Sequence, residues 1–101
     1  MLILLISSTL SYSQKNFTIS GYIEEEETGE KLIGATVYDE KSKKGTISND
    51  YGFFSLTIPL DSVKIRVSYI GYVTQIYKDK PYQDVVKNFS LSDQMLQEVE
   101  I

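Results

Sequence analysis

From Phe17 onward, apolar side chains recur at every second position in short runs divided by Gly, Asp, Asn, Ser and Lys. A period of two marks half-buried β-strands, with one face to a core and the other to water. Phe17, Ile19 and Ile23 share one face of a first run, with Gly21 between them, and Ile33, Ala35 and Val37 share one face of a second. Thr46, Ile47 and Ser48 make a short third run. Phe54, Leu56 and Ile58 make a fourth, which Pro59 closes because it has no N–H to give a ladder. Val63, Ile65, Val67 and Tyr69 alternate with Lys64, Arg66 and Ser68 in a fifth, turning its two cations to water. Tyr72, Thr74 and Ile76 form a sixth after Gly71; Val85, Phe89 and Leu91 form a seventh in which Lys87 breaks the apolar face. No helical stripe competes before the last few residues. Short strands spaced about ten residues apart predict an all-β fold, a seven-stranded antiparallel β-sandwich of two sheets over residues 16–92.

Ahead of these runs, Met1 to Ser13 reads MLILLISSTLSYS, apolar from Leu2 to Ile6 and then mostly small and polar. A membrane-spanning helix takes about 20 apolar residues, and this stretch is much shorter. It reads as an export leader, a signal peptide over residues 1–13, with Ser11 and Ser13 at the small-residue positions and Gln14 as the new amino terminus. The Lys or Arg that ordinarily precedes the apolar run is missing, which leaves the true start codon open. The competing reading is a short buried strand or helix.

Composition narrows the chemistry. The 101 residues are room for one small domain, and 42% apolar with 24% charged positions is a globular balance. With no His and no Cys, neither a Ser/His/Asp or Cys/His nucleophilic site nor a thiolate or imidazole zinc site can be assembled, and no disulfide staples the fold. A formal net charge of −4 gives no electrostatic reason to approach a phosphate backbone, so nucleic acid is not an expected partner. No cofactor is expected.

The remaining candidate motifs have structural explanations. Glu24 to Glu27, followed by Thr28, Gly29, Glu30 and Lys31, is a charged segment between the first two runs. Calcium takes six to eight oxygens, but successive strand side chains point in opposite directions and the Asp/Asn alternation of a calcium loop is missing, so no metal site is expected. Thr28 and Gly29 read as its turn. The carboxylates sit at turns and outward strand positions, with nothing apolar around them to split a pair into acid and base. In KGTISNDYGFFSL, Lys44 to Leu56, the Ser48, Asn49 and Asp50 side chains can bond local backbone while Gly45 and Gly52 allow the turns. Of the eight tyrosines, Tyr38 is the one that strand alternation places in the open, opposite in direction to Val37.

Four ordered segments carry a family resemblance: Ser20, Gly21, Tyr22 and Ile23; Leu32 to Val37, with Gly34, Ala35 and Val37 in an LxGAxV pattern; Gly45, Thr46, Ser48, Asn49, Gly52, Phe54 and Leu56 in a GTxTDxxGxFxL pattern; and Val67 to Tyr72, with Gly71 and Tyr72 closing VSYIGY. Together these resemble the carboxypeptidase-regulatory-like, or transthyretin-like, domain at the amino terminus of SusC-like TonB-dependent outer-membrane receptors. Ser48 and Asn49 stand where the family usually has Thr and Asp, and each keeps a short side-chain acceptor for the turn. The acidic loop of Glu24 to Glu27 is longer than usual. Leu96, Glu98, Val99 and Ile101 resemble the LxEVxV connector, residues 93–101, which in those receptors leads toward a plug domain.

The resemblance implies an Ig-like sandwich without catalytic residues, exported to the periplasmic face of the outer membrane. It would act there as a non-enzymatic accessory or interaction domain of a nutrient receptor, as a fragment or a short form, with the receptor plug and barrel or the energising machinery as protein partner. The alternatives are a carbohydrate-binding sandwich, discriminated by coplanar exposed tyrosines, and an accessory domain of an exported carboxypeptidase-like enzyme, which the connector disfavours. The hydrolase branch of transthyretin-like proteins depends on histidines that this chain lacks.

Overall fold

The computed structural model describes residues 15–95. Eight strands follow one another as β1 (Asn16–Glu25), β2 (Thr36–Asp39), β3 (Lys44–Ile47), β4 (Phe53–Pro59), β5 (Val63–Ser68), β6 (Gln75–Asp79), β7 (Val85–Val86) and β8 (Phe89–Leu91). They build two sheets. In the first, β1 lies between β4 on one side and β7 and β8 on the other; in the second the order is β3-β2-β5-β6. The core is the space between them, filled by Phe17, Ile19 and Ile23 of β1, Phe54, Leu56 and Ile58 of β4, Val37 of β2, and Val63, Ile65 and Val67 of β5. Phe89 and Leu91 of β8 close it, with Leu32 and Ala35 from the β1–β2 connection. The first, fourth and fifth runs therefore turn inward the residues their alternation selects.

The architecture is the expected all-β pair of sheets, with differences in detail. The strands number eight because the seventh run is two strands, and their pairing with β1 is parallel: Ile19 opposite Val85, Ser20 opposite Val86, Ile23 opposite Phe89. The chain crosses from β6 in the second sheet to the first and then runs beside β1 in the same direction; a hairpin would have made it antiparallel. The break falls at Gly21, where a Cβ would lie 2.1 Å from the Lys87 carbonyl oxygen. Lys87 N donates to Ser20 O at 2.8 Å. On either side of this bond, side chains replace backbone: Thr18 N donates to Asp84 Oδ1 and Tyr22 N to Asn88 Oδ1, both at 2.9 Å. Lys87 thus interrupts the apolar face because its backbone passes directly over Gly21, while its ammonium sits 5.3 Å from the Tyr77 ring centroid.

At three places the facing of side chains is decided by the tertiary structure. Ile33 is 51% exposed because the second strand starts only at Thr36, after a turn in which Gly34 takes φ +85°. In the third run Ile47 faces water and Ser48 is buried. In β6, Tyr77 packs on the core and Ile76 faces out, because Tyr77 stands opposite the buried Ile65 and side chains alternate from there.

Candidate functional site

The ladders give the sandwich two ends. At one, β1 begins at Asn16 opposite Pro59, β2 turns into β3, and Val63 of β5 meets Asp79 of β6. At the other lie the end of β1, the segment from Leu32 to Ala35, the turn from Ser48 to Phe53, and Ser68 to Tyr72.

The motif residues assemble mainly at this second end, by hydrogen bonding. Ser48, buried, donates from Oγ to Leu32 O at 2.6 Å and accepts from Ala35 N at 2.8 Å, while its own N–H reaches Ala35 O at 2.9 Å. The hydroxyl thus satisfies two backbone groups that the Gly34 turn would leave buried without partners. Asn49 Oδ1 accepts from Tyr51 N and Phe53 N at 2.9 and 3.0 Å, closing the turn into β4. Gly52 is at φ +77° with its Cα side against Lys31, and its carbonyl accepts from Ile23 N at 2.9 Å. Gly45 lies under the Tyr38 ring, opposite it in register. Tyr38 is therefore half-buried rather than open. Thr46 is half-buried opposite Val37, and Phe54 packs on Phe89 with centroids 5.9 Å apart.

Gly71 and Tyr72 hold the outgoing chain at the same end. Gln94 N donates to Gly71 O at 3.0 Å, Val73 N to Ser92 O at 2.9 Å, and Tyr72 bridges to Asp93. Partial burial, with the Glu25, Asp93 and Glu30 carboxylates nearby, raises the Tyr72 hydroxyl above the usual tyrosine range. Around this exit stand four exposed apolar side chains: Ile33, Ile47, Ile70 at 89% exposure and Met95. A shallow depression at this end is lined by Gly34, Thr36, Ser68, Tyr69 and Ile70, with Ile47 opposite Thr36 in register and the Gln94 amide bonded to Gly71 O just before Met95. Carboxylates border the patch. Glu24 pairs with Lys31, Glu25 accepts from the Thr28 hydroxyl at 2.8 Å, and Gly29 takes φ +76° in that turn. Among the described residues no three carboxylates converge on a metal position.

Among the described residues the titratable groups show no acid and base set apart. Burial acts to raise the Asp39 pKa but is outweighed by the Ser42 side chain and the Lys64, Ser42 and Lys41 amides, which hold the carboxyl below its ordinary value. Glu40 is lowered by its hydrogen bond from Arg66, and Asp79 by the Tyr77 hydroxyl at 2.7 Å. These three stay ionised, as acceptors. Among the described residues the two most exposed tyrosines, Tyr51 at 74% and Tyr82 at 81%, lie at opposite ends of the sandwich. Tyr22 has Phe53 edge-on at 5.3 Å and the Lys31 ammonium over its ring at 5.2 Å.

Residues 19–101 match the family profile of the CarboxypepD_reg-like domain. The chain belongs to that family. A stretch of 78 residues, 77% of the chain, is 30% identical to TonB-dependent receptor P3 of Formosa agariphila. The chain spans only 8% of that receptor's length. Among solved structures, the CarboxypepD_reg-like domain resembles a chain of a type II cohesin–X–dockerin complex from Acetivibrio cellulolyticus, with TM-score 0.63 and 17% identity, over 72% of this chain and 52% of that one. It also resembles a protein of unknown function from Bacteroides fragilis described as membrane-associated, with TM-score 0.60 and 18% identity, over 82% and 30%. At such identities these likenesses establish the fold alone.

The family motif of this CarboxypepD_reg-like domain is thus a set of backbone locks, and the candidate site is the apolar end that the locks shape. The leader over residues 1–13 and the connector residues Leu96, Glu98, Val99 and Ile101 lie outside the described residues. Sequence reasoning missed Ile33, Ile47 and Ile70 as surface residues, since it placed Ile33 on a core face and gave Ile47 and Ile70 no role. The signal available for Ile33 was Gly34, which turns the chain immediately after it.

Proposed function

We propose that this CarboxypepD_reg-like domain is a non-enzymatic contact module of a TonB-dependent nutrient receptor, exported to the periplasmic face of the outer membrane. It would bind its partner through the end from which the chain runs on past Met95. The observation that carries the reading is the grouping of Ile33, Ile47, Ile70 and Met95, all more than half exposed, around that exit. Grouped apolar exposure marks an interaction surface, where scattered residues would not. Burying an isoleucine yields about 1.5–3 kcal/mol, so three supply roughly 5–9 kcal/mol against the cost of association. A partner tethered to the same polypeptide meets a smaller cost, because its effective concentration is already high. A plug segment reached through Leu96, Glu98, Val99 and Ile101 is such a partner. Relationship to a TonB-dependent receptor and membership of a regulatory-like family support this context.

The test is nutrient uptake by the receptor that carries this domain. Uptake should fall both when the sandwich is deleted with the connector left in place and when Ile33, Ile47 and Ile70 are replaced together by Ser, at unchanged receptor abundance. Normal uptake in both strains would end this reading.

A further inference from the structure

The opposite end of the sandwich is basic. Seven of the chain's ten cationic side chains, Lys15, Lys41, Lys43, Lys44, Lys64, Lys78 and Lys80, fall on the elements that meet there, in a protein of net charge −4. Five carboxylates lie among them, Asp39, Glu40, Asp61, Asp79 and Asp84, the last accepting from the Thr18 amide, so the lysines outnumber them by two. Asp39 accepts from the Lys64 and Ser42 amides, Glu40 pairs with Arg66 and Lys64, Asp61 accepts from the Ser62 amide, and Asp79 takes the Tyr77 hydroxyl. Among the described residues, Lys41, Lys43, Lys44, Lys78 and Lys80 make no ion pair. Lys64 and Lys78 stand directly opposite one another across β5 and β6, a like-charge pair in which Glu40 reaches Lys64 at 3.3 Å and Lys78 makes no ion pair among the described residues. With Lys41, Ser62 and Asp79 they line a cleft of about 440 Å³, where the Lys41 ammonium holds the Ser62 hydroxyl at 3.2 Å. Tyr82, two residues beyond Lys80, is 81% exposed at the same end.

We propose that this end docks on an anionic phospholipid surface, with Lys41, Lys64 and Lys78 taking lipid phosphate oxygens in the cleft and Tyr82 lying at headgroup level. Clusters of about four to eight cations draw a protein to such a surface, and tyrosine, apolar in its body and polar at its tip, settles at the interface. The net charge hides this because the charges are segregated. The ten residues of β1, at about 3.3 Å each, put the acidic end roughly 30 Å away, several Debye lengths at physiological salt. The acidic end is therefore screened from a surface that the basic end touches. The cations are spread over the β2–β3 turn and the adjoining ends of β3, β5 and β6, a distribution that a planar surface can engage at several points together. The inference stands apart from the receptor reading, since it uses the end opposite the one from which the chain runs on past Met95.

The experiment is sedimentation of the full chain with vesicles of phosphatidylcholine alone or mixed with phosphatidylglycerol, at low and high salt. Stronger binding to the mixed vesicles is expected, weakening as salt rises. The combined variant Lys41→Gln, Lys78→Gln, Lys80→Gln should lower that partition on the order of 10- to 100-fold with an unchanged melting temperature. Ile70→Ser should leave it intact. Equal binding to both vesicle types, or undiminished binding by the lysine variant, overturns the proposal. So does calorimetric binding of inorganic phosphate alone without vesicle binding, which would assign the cleft to a soluble anion.

Discussion

Replacing Gly21 with Ala puts a methyl group where the Lys87 carbonyl oxygen already is, 2.1 Å from the ideal Cβ, with the Lys87 carbonyl carbon at 2.7 Å. Both are backbone atoms, so no rotamer change relieves the clash and the edge carrying β7 and β8 must move away from β1. Three hydrogen bonds depend on that approach: Lys87 N to Ser20 O, Tyr22 N to Asn88 Oδ1, and Thr18 N to Asp84 Oδ1. At about 0.5–1.5 kcal/mol each they account for roughly 1.5–4.5 kcal/mol, and loosening the buried Phe89 adds more. A loss of about 3–5 kcal/mol is a large share of the 5–15 kcal/mol typical of a folded domain. At about 4–8 °C per kcal/mol for a domain of this size, the melting temperature should fall by some 12–40 °C. Urea unfolding followed by circular dichroism measures the loss, and hydrogen exchange should report lost protection at Thr18, Tyr22 and Lys87. Gly29→Ala is the control: unlike Gly21 it sits at a positive φ, +76°, but it meets nothing within 4 Å, so it carries only the left-handed penalty of about 1–2 kcal/mol. If Gly21→Ala cost no more than Gly29→Ala, the close passage of Lys87 over β1 would be refuted.

Ser48→Ala leaves the Leu32 carbonyl and the Ala35 amide buried without their side-chain partner and should cost about 2–4 kcal/mol by urea unfolding; a change under about 0.5 kcal/mol would sink that account. Asp39→Asn keeps one acceptor but turns an amide toward a donor, so a loss of about 2–4 kcal/mol is expected at neutral pH. Because the Asp39 pKa is lowered in the fold, its stabilisation is present above the unfolded value of about 3.9 and fades as pH falls through the folded one; the variant should lose less stability on acidification than the wild type. Tyr77, pushed up to about 12 by burial and by its hydrogen bond to Asp79, should be the last tyrosine to ionise in an ultraviolet titration. With a raised folded pKa, its contribution is complete below pH about 10 and lost as pH climbs through about 12, so Tyr77→Phe should flatten the alkaline limb of the stability profile.

How much of this was legible in the sequence depends on how local each interaction is. β5 was fully legible, because Val63, Ile65 and Val67 alternate without interruption and only one face can be buried. β6 was not: both Ile76 and Tyr77 are large and apolar, and the choice is made by the register to Ile65 across the ladder. The outward Ile47 and the buried Ser48 have a similar origin. A serine reads as solvent-facing until the Gly34 turn, far away in the chain, supplies a carbonyl and an amide that need its hydroxyl. The parallel pairing of β7 and β8 joins residues 66 apart, and its traces in sequence were the glycine at Gly21 and the misplaced Lys87. Motif resemblance located the backbone locks because each rests on a residue type, a glycine or a short polar side chain, that the motif itself carries. The apolar and basic ends are assembled from several loops each, and no single segment carries either.

The parallel course of β1 and β8 also sets how the domain answers a pull. The chain enters at the base of β1 and departs above β8, so tension between Lys15 and Asp93 slides the two strands lengthwise past each other. The bonds between them are then loaded together in shear, where an antiparallel terminal pair would be peeled open one bond at a time. Tension applied across this sandwich from Lys15 to Asp93 would meet a stiff link rather than a slack one.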